Sequence, residues 1–169
     1  RQYEKEGGPG LPPCAELIRR SRTQPALDLR RFVDWILFNL YVGNNDSHAK
    51  NLSLYAVPNQ GVLLTPFYDL MCTRLYPGLS QEFAFSIGGE FKPGSMTRQH
   101  LEALAGQLGM RPQFLLRQAA DLAAKVPAGL HRALEEPHPA LSHSARALAS
   151  KLAHFIESTT KKTAARFSR

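Results

Sequence analysis

Residues 28–51 constrain the fold more than any other part of the chain. Apolar side chains recur there at the spacing of a helix face: Leu29, Phe32, Val33, Ile36, Leu37 and Leu40. This spacing predicts a helix that begins with Asp28 as its N-cap and ends at Gly43 and Asn44, which both tolerate left-handed backbone geometry. The octet NNDSHAKN, residues 44–51, follows directly. Polar groups at the edge of a core lose hydration, so these side chains need partners or a ligand.

Composition places the chain among globular proteins. Its 169 residues are enough for one domain with a substantial core. A hydrophobic content of 43% and a charged content of 21% exclude a disordered chain. No apolar run is long enough to span a bilayer, and we expect neither a signal peptide nor a membrane partner. Cys14 and Cys72 lack the spacing of metal ligands, which favours free thiols in a reducing compartment and a cytoplasmic location.

The charge balance is basic. A net charge of +7 and a pI near 9.7 favour an anionic partner, such as nucleic acid, a nucleotide or an acidic protein. The basic residues are scattered through RRSRTQ, DLRRF and KKTAARFSR, with no stripe that alternates with aromatic residues. A solvated surface explains any single cluster, and nucleic-acid contact remains the alternative.

The segments on either side of the octet predict loops and one small β element. Glycines and prolines make residues 1–13 a predicted loop, and a short helix is expected over 14–20. The segments LSLYAV and GVLLTPF, residues 52–57 and 61–67, flank the turn PNQG and predict a β-hairpin. The alternating apolar residues of FAFSI, residues 83–87, predict a further short strand.

The rest of the chain is predicted to be helical. Thr97 is expected to cap one helix that ends at Gly109. Pro112 suits the first turn of the next helix, which is predicted to run to Val126 and to break or kink at Pro127.

A last helix is expected after Ser142, with four apolar side chains on one face: Leu148, Leu152, Phe155 and Ile156. Five histidines share no spacing suited to metal ligation, and we interpret them as surface or capping residues: His100, His131, His138, His143 and His154.

Three polar residues form a pattern typical of phosphoryl transfer. Asp46 lies in the octet, Asn51 follows five residues later, and the hairpin returns the chain to Asp69. In protein kinases a loop Asp accepts the substrate hydroxyl proton, the Asn five positions on holds a metal, and a later Asp holds Mg²⁺ against the phosphates. Mg²⁺ prefers such oxygen ligands and keeps several waters. His48 and Lys50 can place donors or positive charge near a transferring phosphoryl group.

The stretches GNNDSHAKN and LLTPFYDL together resemble the catalytic core of HipA-family serine/threonine kinases, the toxins of bacterial type II toxin–antitoxin modules. The pattern of that family runs approximately D-x-H-x-K-N and then T-P-x-Y-D. The matching positions are Asp46, His48, Lys50, Asn51, Thr65, Pro66, Tyr68 and Asp69. The segments YEKEGGPG and FAFSIGGE also resemble family segments in the same order, so the resemblance spans most of the chain.

The resemblance implies a role for each matching residue. Asp46 would be the catalytic base, and Asn51 and Asp69 would be Mg²⁺ ligands that also face the nucleotide. His48 and Lys50 would contact ATP or its phosphates, and Tyr68 would flank the nucleotide pocket. The implied fold is mainly α with a small β-hairpin, a protein-kinase-like C-terminal lobe that occupies residues 1–169.

The family's ATP-gripping elements are expected to precede GGPG. Residues 1–13 contain no glycine-rich phosphate loop followed by Lys-Ser/Thr. We therefore expect the N-terminal, ATP-gripping lobe to be absent from this chain, and the isolated chain to have little kinase activity. The resemblance further implies a protein substrate such as an aminoacyl-tRNA synthetase, growth arrest as the outcome, and a DNA-binding antitoxin as partner, with operator DNA bound through that complex.

Simpler explanations exist for each residue alone. Asp46 could be an ordinary turn or cap residue, and its joint spacing with Asn51 and Asp69 is what favours catalysis. His48 could be a hydrogen-bonded structural histidine, and Lys50 a solvated charge. Two alternatives for the whole chain are a non-catalytic lobe that binds an antitoxin or DNA, and a kinase of a small molecule.

Overall fold

The computed structural model describes residues 1–20, 23–59, 61–136 and 142–169. Within them the helices and strands occur in the order α1 (Leu11–Arg20), α2 (Pro25–Val42), β1 (Leu54–Val57), β2 (Gly61–Leu64), α3 (Arg98–Gln107), α4 (Pro112–Glu135) and α5 (His143–Phe167). Short 3₁₀ turns occupy Glu4–Glu6, Ala49–Asn51 and Thr73–Leu75. The predicted fold class, mainly α with a small β-hairpin, is confirmed.

Helix α2 forms the centre of the core. It packs against α1, α4 and α5. Its buried apolar side chains lie on more than one face: Phe32, Val33, Trp35, Ile36, Leu37, Leu40 and Tyr41. The ring centroid of Trp35 lies 6.2 Å from that of Phe32 and 6.0 Å from that of Phe85. Burying one such large side chain stabilises the fold by about 1.5–3 kcal/mol, so α2 gives the octet a rigid support.

The β-hairpin follows the octet, as predicted. Strands β1 and β2 pair antiparallel, with Leu54 opposite Leu64. Residue 60 of its turn lies outside the described residues. After β2, residues 65–69 bring the chain back to the octet, where the Asp69 carbonyl accepts a hydrogen bond from Asn44 Nδ2 at 3.0 Å.

The predicted N-cap role of Asp28 is wrong. Helix α2 begins at Pro25, with Gln24 as N-cap, because a proline in the first turn loses no helical hydrogen bond. Asp28 is fully buried and accepts a hydrogen bond from the backbone N–H of Leu64 at 3.1 Å and from Arg31 Nη1 at 3.3 Å. This carboxylate therefore fastens the start of α2 to the end of the hairpin.

The predicted loop over residues 1–13 is only partly correct. Helix α1 begins at Leu11, and not at Cys14, because Pro12 and Pro13 fit the first turn of a helix. Leu11 is buried, which fixes this turn against the core. The 3₁₀ turn Glu4–Glu6 also lies within the stretch that was expected to be loop.

The predicted strand at FAFSI is not formed. Phe83, Phe85 and Ile87 are buried, as the alternation indicated. However, the named sheet consists of β1 and β2 alone, and Ile87 forms only an isolated bridge with Glu90. The alternation therefore identified core residues correctly, but the described residues provide no neighbouring strand for a ladder.

Of the predicted break or kink at Pro127, the break is wrong, because α4 continues through this residue to Glu135. Proline removes one N–H from the helical ladder. The turns beyond it are held from outside: Leu130 packs against the core, and His131 Nε2 lies 2.6 Å from Glu157 Oε1 on α5. Packing against α5 thus offsets the lost hydrogen bond.

The predicted helix starts after residue 96 are confirmed. Thr97 is the N-cap of α3, and its backbone N–H donates to His100 Nδ1 at 3.1 Å. Pro112 occupies the first turn of α4. Ser142 caps α5 by accepting a hydrogen bond from the Ala145 N–H at 3.2 Å.

The predicted apolar face of α5 is partly correct. Ile156 is buried, and Leu152 and Phe155 pack against the core, whereas Leu148 is 47% exposed because the start of α5 extends beyond the core. His143 and His154 are exposed, His131 lies at the surface, and His138 lies outside the described residues.

Both cysteines, Cys14 and Cys72, are free thiols, as expected. Among the described residues, no helix has the length and apolar character needed to cross a membrane.

Asp28→Ala is expected to lower the free energy of unfolding by about 2–4 kcal/mol, because it leaves Arg31 and the Leu64 N–H without their buried acceptor. Urea denaturation measures the change. Asp121→Ala, at an exposed position of α4, is the control and should stay within about 0.5 kcal/mol of the wild type. Equal effects of the two substitutions would contradict the proposed link between α2 and the hairpin.

Asp34→Asn is expected to raise the melting temperature at pH 7. Burial raises the pKa of Asp34 despite the nearby positive charges of Arg30 and Lys125, and its Oδ1 has no hydrogen-bond partner among the described residues. A carboxyl group whose pKa is higher in the folded than in the unfolded chain destabilises the fold at pH values above its unfolded-state pKa of about 3.9. The destabilisation disappears below that pH, because the group is then protonated in both states. Thermal unfolding from pH 7 to pH 4 should show a gain that shrinks steadily; a gain that grows on acidification would contradict this assignment.

Candidate active site

The octet begins where α2 ends. Gly43 adopts a left-handed conformation with φ of 79°, and the Asn44 N–H donates to the Asn39 carbonyl at 2.8 Å. The Asn44 side chain is 1% exposed and makes three further bonds. Its Nδ2 donates to Asn39 Oδ1 at 2.8 Å and to the Asp69 carbonyl at 3.0 Å, and its Oδ1 accepts from the Asp46 N–H at 3.3 Å. One amide thus joins α2, the octet and the segment after the hairpin.

A second buried amide fixes the other side of the octet. The Asn45 N–H donates to Thr73 Oγ1 at 2.8 Å, and Asn45 Nδ2 donates to the Ser80 carbonyl at 3.0 Å. The Ser47 hydroxyl donates to the Asn44 carbonyl at 3.1 Å. Most of the buried polar groups of the octet therefore have partners within the protein, whereas Asn45 Oδ1 is buried with no hydrogen-bond partner among the described residues.

Asp46 lies between these supports and is only partly buried. Its Oδ1 accepts a hydrogen bond from the Tyr3 hydroxyl. A pocket of about 420 Å³ opens beside it, with Met71, Leu79 and Phe83 among its lining residues. A carboxylate at the edge of such a pocket can accept a proton from a hydroxyl that enters it.

Asn51 and Asp69 lie together, although 18 residues separate them in sequence. Asn51 Nδ2 donates to Asp69 Oδ2 at 2.6 Å, and Asn51 Oδ1 accepts from the His48 N–H at 3.0 Å. Asp69 has a φ of 57°, a left-handed conformation that Asp tolerates better than most residues. Its side chain is exposed, whereas Asn51 is 6% exposed. Strained conformations of this kind persist where surrounding contacts hold them, often at functional sites.

The donor set of this pair fits Mg²⁺. An amide oxygen has two lone pairs, so Asn51 Oδ1 keeps one beside its bond to His48, and the Asp69 carboxylate adds two oxygens. The described residues contain no group of three or more His, Cys, Asp or Glu side chains that could hold a metal ion. Two protein oxygens suit an ion that takes its other ligands from water and phosphate.

His48 is close to Asp46, while Lys50 and Tyr68 lie at the outer edge of the site. His48 is 9% exposed, and its ring meets that of Tyr3 edge-on, with centroids 5.5 Å apart. Its Nδ1 has no hydrogen-bond partner within the described residues. Tyr68 is 43% exposed and donates to the Lys50 carbonyl at 3.0 Å; the Lys50 side chain is exposed.

Sequence reasoning missed the contribution of three residues to this site. Tyr3 lies in the predicted loop over residues 1–13, Asn44 is predicted only to end α2, and Asn45 is predicted only as part of the polar octet. Nothing local marks Tyr3, since 43 residues separate it from Asp46. The position of Asn44 directly after a helix-ending glycine offered a weak indication of its role.

Asn44→Ala is expected to cost about 2–3 kcal/mol of stability, because it leaves several buried groups unpaired. Urea denaturation measures the cost, and hydrogen exchange should show faster exchange at the Asp46 amide. Gln113→Ala, at an exposed position in the first turn of α4, is the control and should be nearly neutral. Unchanged exchange at Asp46 would contradict the role of Asn44 in holding the octet.

Comparison with known proteins gives a consistent result. The profile of the HipA-like C-terminal domain matches residues 1–130. The protein named "Putative kinase Y4mE" of Sinorhizobium fredii is 34% identical over 157 residues, which cover 93% of this chain and 36% of that protein. The serine/threonine-protein kinase toxin HipA of Shewanella oneidensis is 34% identical over 103 residues, covering 61% of this chain and 24% of the toxin.

A solved structure has the same fold. It is the Shewanella oneidensis toxin–antitoxin complex of HipA, HipB and operator DNA, and its matching chain gives a TM-score of 0.85 at 25% identity. The match covers 95% of this chain and 37% of that one, so this chain spans about a third of the length of such relatives. With its family profile, its relatives and its fold in agreement, the chain belongs to the HipA-like C-terminal domain family.

Proposed function

We propose that this chain is the catalytic-loop-bearing lobe of an ATP- and Mg²⁺-dependent protein serine/threonine kinase, the toxin of a type II toxin–antitoxin module. The observation that supports this most strongly is the contact between Asn51 and Asp69, because it joins two oxygen-bearing side chains of the kinase pattern. Asn44 couples this pair to Asp46 through its bonds to the Asp69 carbonyl and the Asp46 N–H.

In this proposal Asp46 is the general base. It accepts the proton of the serine or threonine hydroxyl as that oxygen attacks the γ-phosphorus of ATP, while the bond from that phosphorus to the β,γ-bridging oxygen breaks and ADP leaves. The pocket beside it admits the acceptor residue of the protein substrate. Because Asn44 and Asn45 are buried and hydrogen-bonded, the carboxylate is held in place before the substrate arrives, which lowers the cost of reaching the reactive geometry.

Asn51 and Asp69 would hold Mg²⁺. When bound, the ion neutralises negative charge that develops on the phosphates. Lys50 and Tyr68 flank this pair at the surface and would face the nucleotide. His48 lies between the base and the metal ligands, and its backbone N–H orients Asn51 Oδ1. Its ring would contribute a polar edge toward the phosphates.

The relatives are about three times as long as this chain. We propose that the ATP-gripping elements belong to the part of those proteins that this chain does not match, so that transfer needs the whole gene product. We also propose an aminoacyl-tRNA synthetase as target and a cytoplasmic location.

A second candidate function is antitoxin or operator-DNA binding without phosphate transfer. Two observations favour it: the structural match to a chain in a HipA–HipB–DNA complex, and the net charge of +7. The two functions are compatible in one protein, and an assay of phosphate transfer distinguishes a catalytic lobe from a purely binding one.

Asp46→Asn is expected to lower phosphate transfer by the full-length gene product by about 100- to 10,000-fold, because the amide cannot accept the hydroxyl proton. Labelling of a degenerate serine/threonine peptide array with γ-labelled ATP and Mg²⁺ measures the rate. Asp121→Asn, a surface substitution, should label like the wild type. Wild-type rates in Asp46→Asn would exclude Asp46 as the base. The 169-residue chain, assayed alongside, should label little.

A further inference from the structure

Tyr3 contacts two residues of the octet beside the pocket that Asp46 lines. Its hydroxyl donates to Asp46 Oδ1, and its ring contacts His48 edge-on, with an interplanar angle of 74°. Tyr3 also lines the pocket into which the acceptor hydroxyl would enter. It is thus the one residue outside the octet, among those described, whose side chain bonds directly to the Asp46 carboxylate.

The short segment that contains Tyr3 is firmly anchored. The Glu4 carboxylate accepts two hydrogen bonds from Ser86, one from its backbone N–H and one from its hydroxyl, both at 2.8 Å. Lys5 pairs with Glu82, and its ammonium lies 4.7 Å from the centroid of the Phe91 ring. Charge-assisted bonds of this kind are stronger than neutral ones, so the phenol is held over Asp46 by the segment around residues 82–91.

The protonation state of Tyr3 determines which of the two groups donates the hydrogen bond. The hydrogen bond to Asp46, followed by burial, raises the pKa of the Tyr3 phenol above its ordinary value. The hydroxyl therefore remains protonated and donates at neutral pH. A carboxylate has two acceptor oxygens. With Oδ1 engaged, Oδ2 is the oxygen available to an incoming hydroxyl, since no described residue donates a side-chain hydrogen bond to it.

We propose that Tyr3 is a positioning residue for Asp46: its hydroxyl fixes the rotation of the carboxylate and reserves Oδ2 for the proton of the substrate hydroxyl. This inference rests on the proposed kinase function. Tyr3 acts through Asp46 and does not exchange a proton with the substrate. Removing its hydroxyl leaves the carboxylate present but free to rotate, so the chemical step slows while binding of ATP and of the acceptor persists.

Tyr3→Phe in the full-length gene product tests the role, because it deletes the hydroxyl and keeps the ring against His48. The acceptor is the peptide best labelled by the wild type on the degenerate array. We expect kcat to fall about 10- to 100-fold, and the KM values for ATP and for the peptide to change by less than about twofold. Tyr55→Phe, exposed on strand β1, is the matched control and should retain wild-type kinetics.

Combining the substitutions separates positioning from a general structural effect. In an Asp46→Asn background, Tyr3→Phe should lower the residual rate by less than about twofold, because the group through which it acts is gone. An unchanged kcat in Tyr3→Phe, a rise in KM alone, or an equal loss in both backgrounds would overturn the role of Tyr3. Absence of labelling by the wild type would instead overturn the proposed function, and the role of Tyr3 with it.

Discussion

The side chain of Asn44 makes the hydrogen bonds on which the geometry of the site depends. It lies where the buried helix α2 ends, and it bonds to Asn39 within that helix, to the Asp46 N–H and to the Asp69 carbonyl. An amide can do this because it donates and accepts at once. A buried donor or acceptor without a partner costs free energy, so the fold strongly favours the arrangement in which the partners of Asn44 stay within hydrogen-bond distance. Through these bonds the buried helix α2 holds in place the backbone at Asp46 and at Asp69, which belong to two different segments of the chain.

Three aspartates, Asp28, Asp46 and Asp69, have different surroundings. Asp28 is fully buried, forms an ion pair with Arg31 and accepts a hydrogen bond from the Leu64 N–H, so its charge is compensated within the protein. Asp46 and Asp69 are partly or largely exposed, and within the described residues neither forms an ion pair. Their neighbours are neutral donors, which orient a carboxylate without cancelling its charge. A carboxylate that keeps its charge and an accessible oxygen can accept a proton or bind a metal ion.

The supports of the site come from segments that are far apart in sequence. Thr73 and Ser80 hold Asn45 from the segment after the hairpin, while Tyr3 approaches Asp46 from the start of the chain. The 82–91 segment, which forms no strand, anchors Tyr3 through Ser86 and Glu4. Its irregular backbone leaves N–H groups available for such bonds, since no sheet ladder occupies them.

The sequence by itself determined the elements that depend on local regularity. The apolar spacing of α2, the hairpin and the capping residues Thr97 and Ser142 were all evident, because helical and strand periodicity act over a few residues. The pattern from Asp46 to Asp69 also pointed to the residues that meet near the end of α2. Tertiary structure alone decided that Asp28 fastens two elements, that Pro127 leaves α4 intact and that Tyr3 reaches Asp46. These outcomes depend on which elements pack together, and residues far apart in sequence become neighbours only after the core has formed.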